Sequence, residues 1–326
     1  PTDPASIYRG ATPNTTSLAN FTPTQDSNFR HSYSNQQTEG RVPNSTLKKN
    51  TFSINANSKL GDKFKIEGMM TFVQTKGFNR PEGGYGDNSL SQKFYQWGQR
   101  QLDFNELKQY KLADGSQRSW NRTSWDDGTP KYSDNPYWII NENTSNDTRN
   151  RLYGNAKLTY NITPDLYLVG NVYGDTYTLN INERVAIGSQ ALPSFSTTTR
   201  TLSDFNYEGR IHYDKRFGKF SINSFVGVNK RVSNYSLVSG TTVGGLTLPN
   251  LYNLSNSVET ARATNSDTNS QTNSIYGFVS IGYNDMLFLE ATDRNDWFST
   301  TYKDVNYASL TGSFVFSELM KNSSWL

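Results

Sequence analysis

Apolar and polar residues alternate one by one along much of this chain. In one segment Phe205, Tyr207 and Ile211 alternate with polar residues that include Glu208 and Arg210. Successive side chains of a β-strand point to opposite faces, so this pattern predicts a strand with one apolar and one polar face. The same period of two predicts about ten strands, at 28–36, 49–58, 63–76, 149–160, 166–179, 204–215, 219–232, 273–283, 286–296 and 306–317.

The lengths of the strands and of their connections also form a pattern. Several predicted strands exceed the about 5–6 residues usual in globular sheets, and they reach the about 9–11 residues that a tilted strand needs to cross a membrane. Tight turns alternate with long links at about 77–148, 180–203 and 233–272. Short turns on one side and long loops on the other are typical of a membrane β-barrel.

Composition narrows the class of protein. The 326 residues contain no Cys, which excludes disulfides, Cys-based metal sites and thiol catalysis. A net charge of +3 does not indicate nucleic-acid binding. The aromatic fraction of 13% argues against disorder. Apolar runs are too short for a membrane-spanning helix.

These observations predict one all-β domain over residues 1–326, a portion of a transmembrane antiparallel β-barrel. The polar faces of the strands would line the lumen, and the apolar faces would meet lipid. The tight turns would face the periplasm and the long links the cell exterior.

The first long link, 77–148, carries the clearest candidates for binding. Four of the six Trp residues lie in it: Trp97, Trp120, Trp125 and Trp138. Asp126, Asp127 and Tyr137 are nearby in sequence, and flat aromatic rings together with charged groups are suited to oligosaccharides or peptides. Three interpretations remain open for these residues: contact with a ligand, contact with a partner protein, or packing of the link against itself.

A second candidate is the run Asp293, Arg294, Asn295, Asp296 and Trp297 near the end of a predicted strand. We expect its charged residues to cluster and fix a loop to the barrel rim, and Trp297 suits the aromatic belt of a membrane interface. Neither a nucleophile nor a His accompanies the carboxylates, so we expect no enzyme, no cofactor and no metal site. An Asp-Asp-Gly run at Asp126 lacks the spacing of a calcium loop.

Several stretches resemble the SusC/RagA-type TonB-dependent outer-membrane transporters of the Bacteroidetes. They are Gly40–Ser45 (GRVPNS), Asn135–Trp138 (NPYW), Arg151–Asn155 (RLYGN), Ile275–Tyr283 (IYGFVSIGY) and Asp293–Thr300 (DRNDWFST). Their order is similar to that in the middle of this family's barrel. The family's plug domain has no counterpart in these residues, and ten strands are too few for that family's large barrel. The resemblance therefore implies that the chain is a part of a full-length member and of a larger barrel.

The resemblance implies TonB-energised import of oligosaccharides or peptides across the outer membrane. It also implies a SusD-like surface lipoprotein as a lid, TonB–ExbB–ExbD as the energy source, and outer-membrane lipid around the barrel. Two alternatives are a similar barrel kept as a scaffold subunit of a larger outer-membrane complex, and a soluble secreted β-rich glycan-binding protein.

Overall fold

The strands of this chain pair in sequence order, each antiparallel to the next, in a single sheet that runs from β1 to β11. The structure is a computed structural model that describes residues 4–93, 96 and 98–317; the candidate Trp97 lies outside these ranges. The strands are β1 (Thr12–Pro23), β2 (Ser27–Glu39), β3 (Thr46–Leu60), β4 (Phe64–Phe78), β5 (Ser145–Asn161), β6 (Leu166–Val185), β7 (Ser194–Phe217), β8 (Phe220–Leu246), β9 (Ser257–Tyr283), β10 (Leu287–Phe298) and β11 (Val305–Phe314). Three short helices lie in the β4–β5 link, namely α1 (Leu90–Gln92), α2 (Phe104–Leu107) and α3 (Pro136–Glu142).

The all-β antiparallel fold is confirmed, and each of the ten predicted segments lies on a strand. An eleventh strand, β1, was not predicted. Its sequence, TPNTTSLANFTP, has few apolar residues. β1 is at the edge of the described sheet, where it pairs only with β2. Backbone pairing therefore suffices to form it without an apolar face.

Two of the three predicted long links are mostly strand. The β6–β7 link covers only 186–193, where the sequence predicted 180–203, and the β8–β9 link covers 247–256, where it predicted 233–272. Strands β8 and β9 have 27 residues each and extend beyond the portions with regular alternation as a ribbon rich in Ser, Thr and Asn. Ser, Thr and Asn on both faces conceal the alternation, although the ladder of backbone hydrogen bonds continues.

The link 79–144 is long, as predicted, and the alternation of connections holds. The turns after β1, β3, β5, β7 and β9 are tight, and all five lie at one end of the antiparallel sheet, the turn end. The links after β2, β4, β6, β8 and β10 lie at the opposite end, the link end.

The register of the sheet gives the tilt of its strands. Asn28, beside the first turn, connects through successive pairings to Ser274 on β9. Ser274 precedes Tyr283, beside the last turn, by 283 − 274 = 9 residues. With about 3.3 Å per residue and about 4.8 Å between strands, turns in one plane require a tilt of about 40°. Outer-membrane barrels have tilts of about 35–45°.

The two faces of the sheet differ as the alternation predicted. On the apolar face Ile211 lies opposite Val226, and their exposed fractions are 55% and 58%. Aromatic rings stand near the turn end of this face: Phe64 stacks on Tyr160 with centroids 4.7 Å apart, and Phe220 lies 4.9 Å from Tyr283. The polar face carries the neighbouring residues of each strand, such as Arg210.

Candidate functional site

The β4–β5 link, residues 79–144, folds into an ordered lobe with its own hydrophobic core. That core consists of Ile7, Val42, Leu90, Phe104, Leu107, Tyr137, Ile139 and Ile140, with Trp120 packed against it. Val42 belongs to the β2–β3 link, and Ile7 precedes β1. The lobe is thus fixed to two other parts of the chain by apolar packing.

Asn135 begins helix α3 and ties it to the rest of the lobe. Its Oδ1 accepts a hydrogen bond from the backbone N–H of Tyr137 at 2.8 Å, and Pro136 follows at the first helical position. Its Nδ2 donates to the carbonyls of Leu107 and Arg118 at 3.0 and 2.8 Å. The residue is completely buried, and all its polar atoms have partners.

Trp138 joins helix α3 to the β6–β7 link. Its Nε1 donates to Oγ of Ser189 at 2.8 Å, and its ring meets Tyr110 edge-on with centroids 6.3 Å apart. The Nζ of Lys111 lies 5.6 Å from the ring centroid and 2.8 Å from the carboxylate of Glu142. With 2% of its surface exposed, Trp138 is part of the lobe interior.

Asp134 is a buried carboxylate beside Trp138 in the same junction. It accepts hydrogen bonds from Nε2 of Gln117 at 2.7 Å and from the backbone N–H of Gln190 at 2.6 Å. Its burial raises its pKa, an effect that these two hydrogen bonds and the charge of Lys93 partly oppose. Because Gln190 belongs to the β6–β7 link, Asp134 fixes the lobe to the sheet.

The predicted binding residues of the lobe divide into buried and exposed groups. Trp138 and Tyr137 are buried, and Trp120 is half-buried, with its Nε1 donating to the carbonyl of Asp134 at 3.3 Å. Of the three interpretations left open by the sequence, packing of the link against itself is the one that the burial of Tyr137 and Trp138 favours. Tyr137 and Trp138 are held inside because the lobe needs large rings to fill its own core.

Trp125, Asp126 and Asp127 lie together at an exposed tip of the lobe. Trp125 is 89% exposed. Asp126 accepts a hydrogen bond from Ser124 Oγ at 2.5 Å, and Asp127 accepts one from the backbone N–H of Thr129 at 2.9 Å. These hydrogen bonds lower the pKa of both carboxyls. The two carboxylates shape the turn that presents Trp125, which stays a candidate contact residue.

The lobe and the polar face of the sheet enclose a cavity of about 870 Å³. Lobe residues such as Asn79, Ile139 and Asn143 form one wall, and strand residues such as Arg149 and Ile181 form the other. We call this space the lobe cavity. It lies at the link end, because its strand residues are within six positions of the strand ends that border the links, Leu179 being the farthest at 185 − 179 = 6.

Paired and unpaired charges line the lobe cavity. Arg80 binds Asp147 through both its Nε and its Nη2, the latter at 2.9 Å. Arg149 stacks its guanidinium 4.2 Å from the ring centroid of Tyr177, and its buried Nε lacks a hydrogen-bond partner among the described residues. Glu183 also lines the cavity. The cavity can thus offer a guanidinium and carboxylates to a ligand.

Sequence reasoning did not select these cavity residues. They come from β4 to β7, the lobe, the β2–β3 link and the segment before β1, and the outermost ones, Tyr8 and Ser196, are 196 − 8 = 188 positions apart in the chain. The one available signal was the placement of Arg149 on the polar face of β5, two residues before Arg151.

The predicted rim run Asp293–Trp297 lies on β10, but its charges do not form one cluster. Arg294 and Asp296 pair on the polar face, with Nε 2.8 Å from Oδ1. Asp293 lies on the apolar face, where it accepts a hydrogen bond from Nδ2 of Asn306 at 2.9 Å. The expected trio is corrected to a pair because adjacent residues of a strand point to opposite faces. Asn295 donates to Asp304 of the β10–β11 link at 2.9 Å, and Trp297 is 47% exposed.

Aromatic and charged side chains also form a layer on the polar face of strands β6 to β10. Tyr167 stacks on His212 with centroids 4.7 Å apart, and His212 contacts Phe225 at 5.1 Å. Tyr276 donates a hydrogen bond to Glu208, and Arg294 lies 5.3 Å from the Tyr276 ring centroid. This face is therefore polar with embedded rings.

Within residues 4–93, 96 and 98–317 there is no helix with the length and apolar character needed to cross a bilayer. The same residues contain no group of three or more His, Asp or Glu placed to hold a metal ion.

The fold of this sheet is similar to parts of several larger solved structures. The RagAB peptide transporter superposes with a TM-score of 0.74 at 12% identity, over 96% of this chain and 35% of that one. The siderophore receptor PiuA from Acinetobacter baumannii superposes with a TM-score of 0.53 at 11% identity, over 94% of this chain and 45% of that one. The unliganded ferric citrate transporter FecA superposes with a TM-score of 0.51 at 10% identity, over 93% of this chain and 38% of that one.

These likenesses confirm the predicted fold, and this chain spans 35 to 45% of the length of those proteins. No protein-family model matches the sequence. No curated protein matches it either.

Proposed function

We propose that this chain is part of the barrel of an outer-membrane importer that takes up nutrients, with energy supplied through TonB–ExbB–ExbD. The observation that carries the proposal is the lobe cavity, which lies on the polar face of a sheet with the tilt of a membrane barrel. An importer needs such a combination, because cargo must be held at the mouth of a polar lumen. The likeness of the fold to a peptide transporter and two iron-compound receptors supports it.

The apolar face supports a membrane location and disfavours the soluble alternative. Exposed Phe, Leu, Ile and Val side chains cover it from β3 to β11, among them Phe52, Leu158, Val228 and Leu289. Soluble monomers rarely expose apolar patches larger than a few hundred Å². In a membrane these side chains contact lipid tails and are not exposed to water.

The chemistry of the lobe cavity favours peptides over oligosaccharides as cargo. Among the described residues that line it there is no Trp, and the one Tyr is Tyr8. Sugar rings are usually bound by stacking on exposed aromatic faces, whereas this cavity offers Arg149, Glu183 and the amides of Asn79, Asn88 and Asn143. Amides and charges of both signs suit the backbone and termini of a peptide.

A surface lipoprotein of the SusD type is the proposed partner. Its proposed contact is the link end, where Trp125 and Tyr302 are 89% and 109% exposed. Exposed aromatic residues are frequent hot spots of protein interfaces.

The test of cargo binding uses uptake of a labelled peptide mixture in a deletion strain that carries the full-length gene. Arg149→Gln removes one charge from the cavity, and Lys48→Gln removes one from an exposed position of β3. A charge-assisted hydrogen bond contributes about 1.5–3 kcal/mol. We therefore expect Arg149→Gln to raise the peptide concentration that gives half-maximal uptake by a factor of about ten or more. Equal uptake by the two variants would exclude the cavity as the peptide site.

The test of orientation uses single cysteines, since the chain has none of its own. Tyr302→Cys lies in the β10–β11 link and Lys219→Cys in the β7–β8 turn. An impermeant maleimide on intact cells should label the first variant only, and both after lysis. Labelling of Lys219→Cys on intact cells would show that the turn end faces the cell exterior, contrary to the proposed orientation.

A further inference from the structure

A groove of about 890 Å³ crosses the apolar face between β4 and β10. Its floor includes Gly170 and Gly209, which lie directly opposite each other on β6 and β7. A side chain added at Gly170 would meet open space, since no atom lies within 4 Å of its Cβ position. The walls are large apolar side chains, namely Ile66, Leu158, Val172, Tyr207, Val228 and Ile275.

One end of the groove is polar and carries a lysine. Lys230 of β8 lies between Tyr207 on β7 and Asn273 on β9, and Trp297 on β10 is next in the same row. All four residues line the groove. Lysine, tyrosine and tryptophan together are typical of the boundary between lipid tails and headgroups.

The register places Lys230 at that boundary. Phe220, in the aromatic ring pair at the turn end, is 230 − 220 = 10 residues away on the same strand. At about 3.3 Å per residue and a tilt of about 40°, Lys230 lies about 25 Å above Phe220. The apolar band of a membrane barrel is about 25 Å tall. Lys230 is therefore at its upper edge, on the side of the links.

Lys230 has no carboxylate partner among the ion pairs of the described residues. By contrast Lys215, on the same face near the turn end, binds Asp165 at 2.8 Å. The groove thus combines an apolar channel with an unneutralised cation at one end. A ligand that matches it has an acyl chain and an anionic head.

We propose that this groove binds one acyl chain of a phosphorylated glycolipid of the outer leaflet, lipid A, whose phosphate accepts hydrogen bonds from Nζ of Lys230. The site rests on the proposed function, because the link end must face outward for the lysine to meet that leaflet. The glycine floor favours a narrow hydrocarbon chain over a protein surface, because it deepens a channel between rows of large side chains. Asn273 and Trp297 supply further hydrogen-bond donors at the head.

The test measures lipid A binding to the delipidated, detergent-purified full-length protein by native mass spectrometry. We expect one lipid A to bind wild-type protein, and dephosphorylated lipid A to bind at least about tenfold more weakly. Lys230→Gln should reduce binding of lipid A by a similar factor. Gly170→Leu, which fills the floor, should reduce binding of both forms.

Lys219→Gln is the matched control, since it removes the same charge from an exposed position at the turn end. Equal binding of lipid A by Lys230→Gln and Lys219→Gln would overturn the proposal, as would equal binding of the two lipid forms to wild-type protein. Heat-modifiable migration of each variant verifies folding. Peptide uptake by wild-type cells is a separate measurement, so failure of the importer and failure of the lipid site are distinguishable.

Discussion

Arg151 on β5 and Asp175 on β6 form an ion pair on the polar face, with Nε of Arg151 2.8 Å from Oδ1 of Asp175. The guanidinium also lies 4.7 Å from the ring centroid of Tyr153 on the same face. Both charged side chains keep about a third of their surface exposed, 37% and 34%. The pair joins neighbouring strands without being withdrawn from water.

This exposure predicts a small contribution to stability. Asp175→Asn should lower the free energy of unfolding by less than about 1 kcal/mol, because solvent screens such a pair. The measurement is urea unfolding of the full-length protein in detergent, in a double-mutant cycle with Arg151→Gln. A coupling energy of about 3 kcal/mol or more would indicate a dry pair, and hence that another part of the protein covers this face.

The assignment of residues to faces could be read from the sequence because a strand has a strict period of two. It held for Ile211 and Arg210, where large apolar and charged residues alternate without interruption. The same period of two applies within the run Asp293–Asp296, although its adjacent charges suggest one cluster. The alternation separates Asp293 from Arg294 and Asp296, and the structure follows the alternation.

The faces predict opposite outcomes for two adjacent substitutions. Ile211→Arg places a charge on the apolar face, where lipid contact makes it cost about 2–4 kcal/mol near the middle of a bilayer. We expect loss of assembled barrel in outer-membrane fractions, measured by heat-modifiable migration on gels.

Arg210→Ala is the partner substitution on the polar face. Arg210 lies 3.7 Å from Glu208 and 5.6 Å from the Phe225 ring centroid, and Glu208 keeps the hydrogen bond from Tyr276 when Arg210 is removed. Assembly should remain at the wild-type level. If both variants assembled equally well, the apolar face would not meet lipid.

The sequence pattern did not predict the core of the lobe or the distal parts of β8 and β9, and the physical reasons differ. The distal residues of β9 are almost all polar, and in distal β8 apolar residues such as Leu237 and Val238 are adjacent and do not alternate, so the pairing is visible only in the backbone. In the lobe the core joins Ile7, Val42 and Phe104 from separate segments, and no local period relates them. Tryptophan content indicated an ordered link correctly but did not distinguish a core ring from an exposed one.

That distinction can be tested with two tryptophans of the lobe. Trp138→Ala should destabilise the lobe by about 3–5 kcal/mol, the usual cost of removing a large buried ring. Its contacts with Tyr110 and Ser189 would be lost as well. Limited proteolysis of the detergent-purified full-length protein should then cleave within 79–144 while the barrel remains heat-modifiable.

Trp125→Ala is the exposed counterpart and should leave the protease resistance of the lobe unchanged. Its effect should instead be seen in co-purification of a SusD-like lipoprotein, if the tip is a partner contact. Protease sensitivity of Trp125→Ala equal to that of Trp138→Ala would contradict the division into buried and exposed rings.

The buried carboxyl of Asp134 predicts how lobe stability depends on pH. Burial raises its pKa, so the folded lobe binds a proton more tightly than the unfolded chain does. The contribution of Asp134 is therefore greatest below the unfolded pKa of about 3.9. It declines as pH rises through the raised pKa of the folded state, and above that value it is lost. The negative charge of Asp87 raises the pKa of Asp134 further, and the positive charge of Lys93 lowers it.

Hydrogen–deuterium exchange of lobe peptides, corrected for the intrinsic pH dependence of exchange, measures this directly. In Asp134→Asn the decline in protection with rising pH should flatten, since the amide does not titrate. Asp126→Asn is the matched control at the exposed tip, where hydrogen bonds from Ser124 and its own backbone lower the pKa and give a dependence of opposite sign. Unchanged pH dependence in Asp134→Asn would mean that another group, and not this carboxyl, governs the junction between the lobe and the sheet.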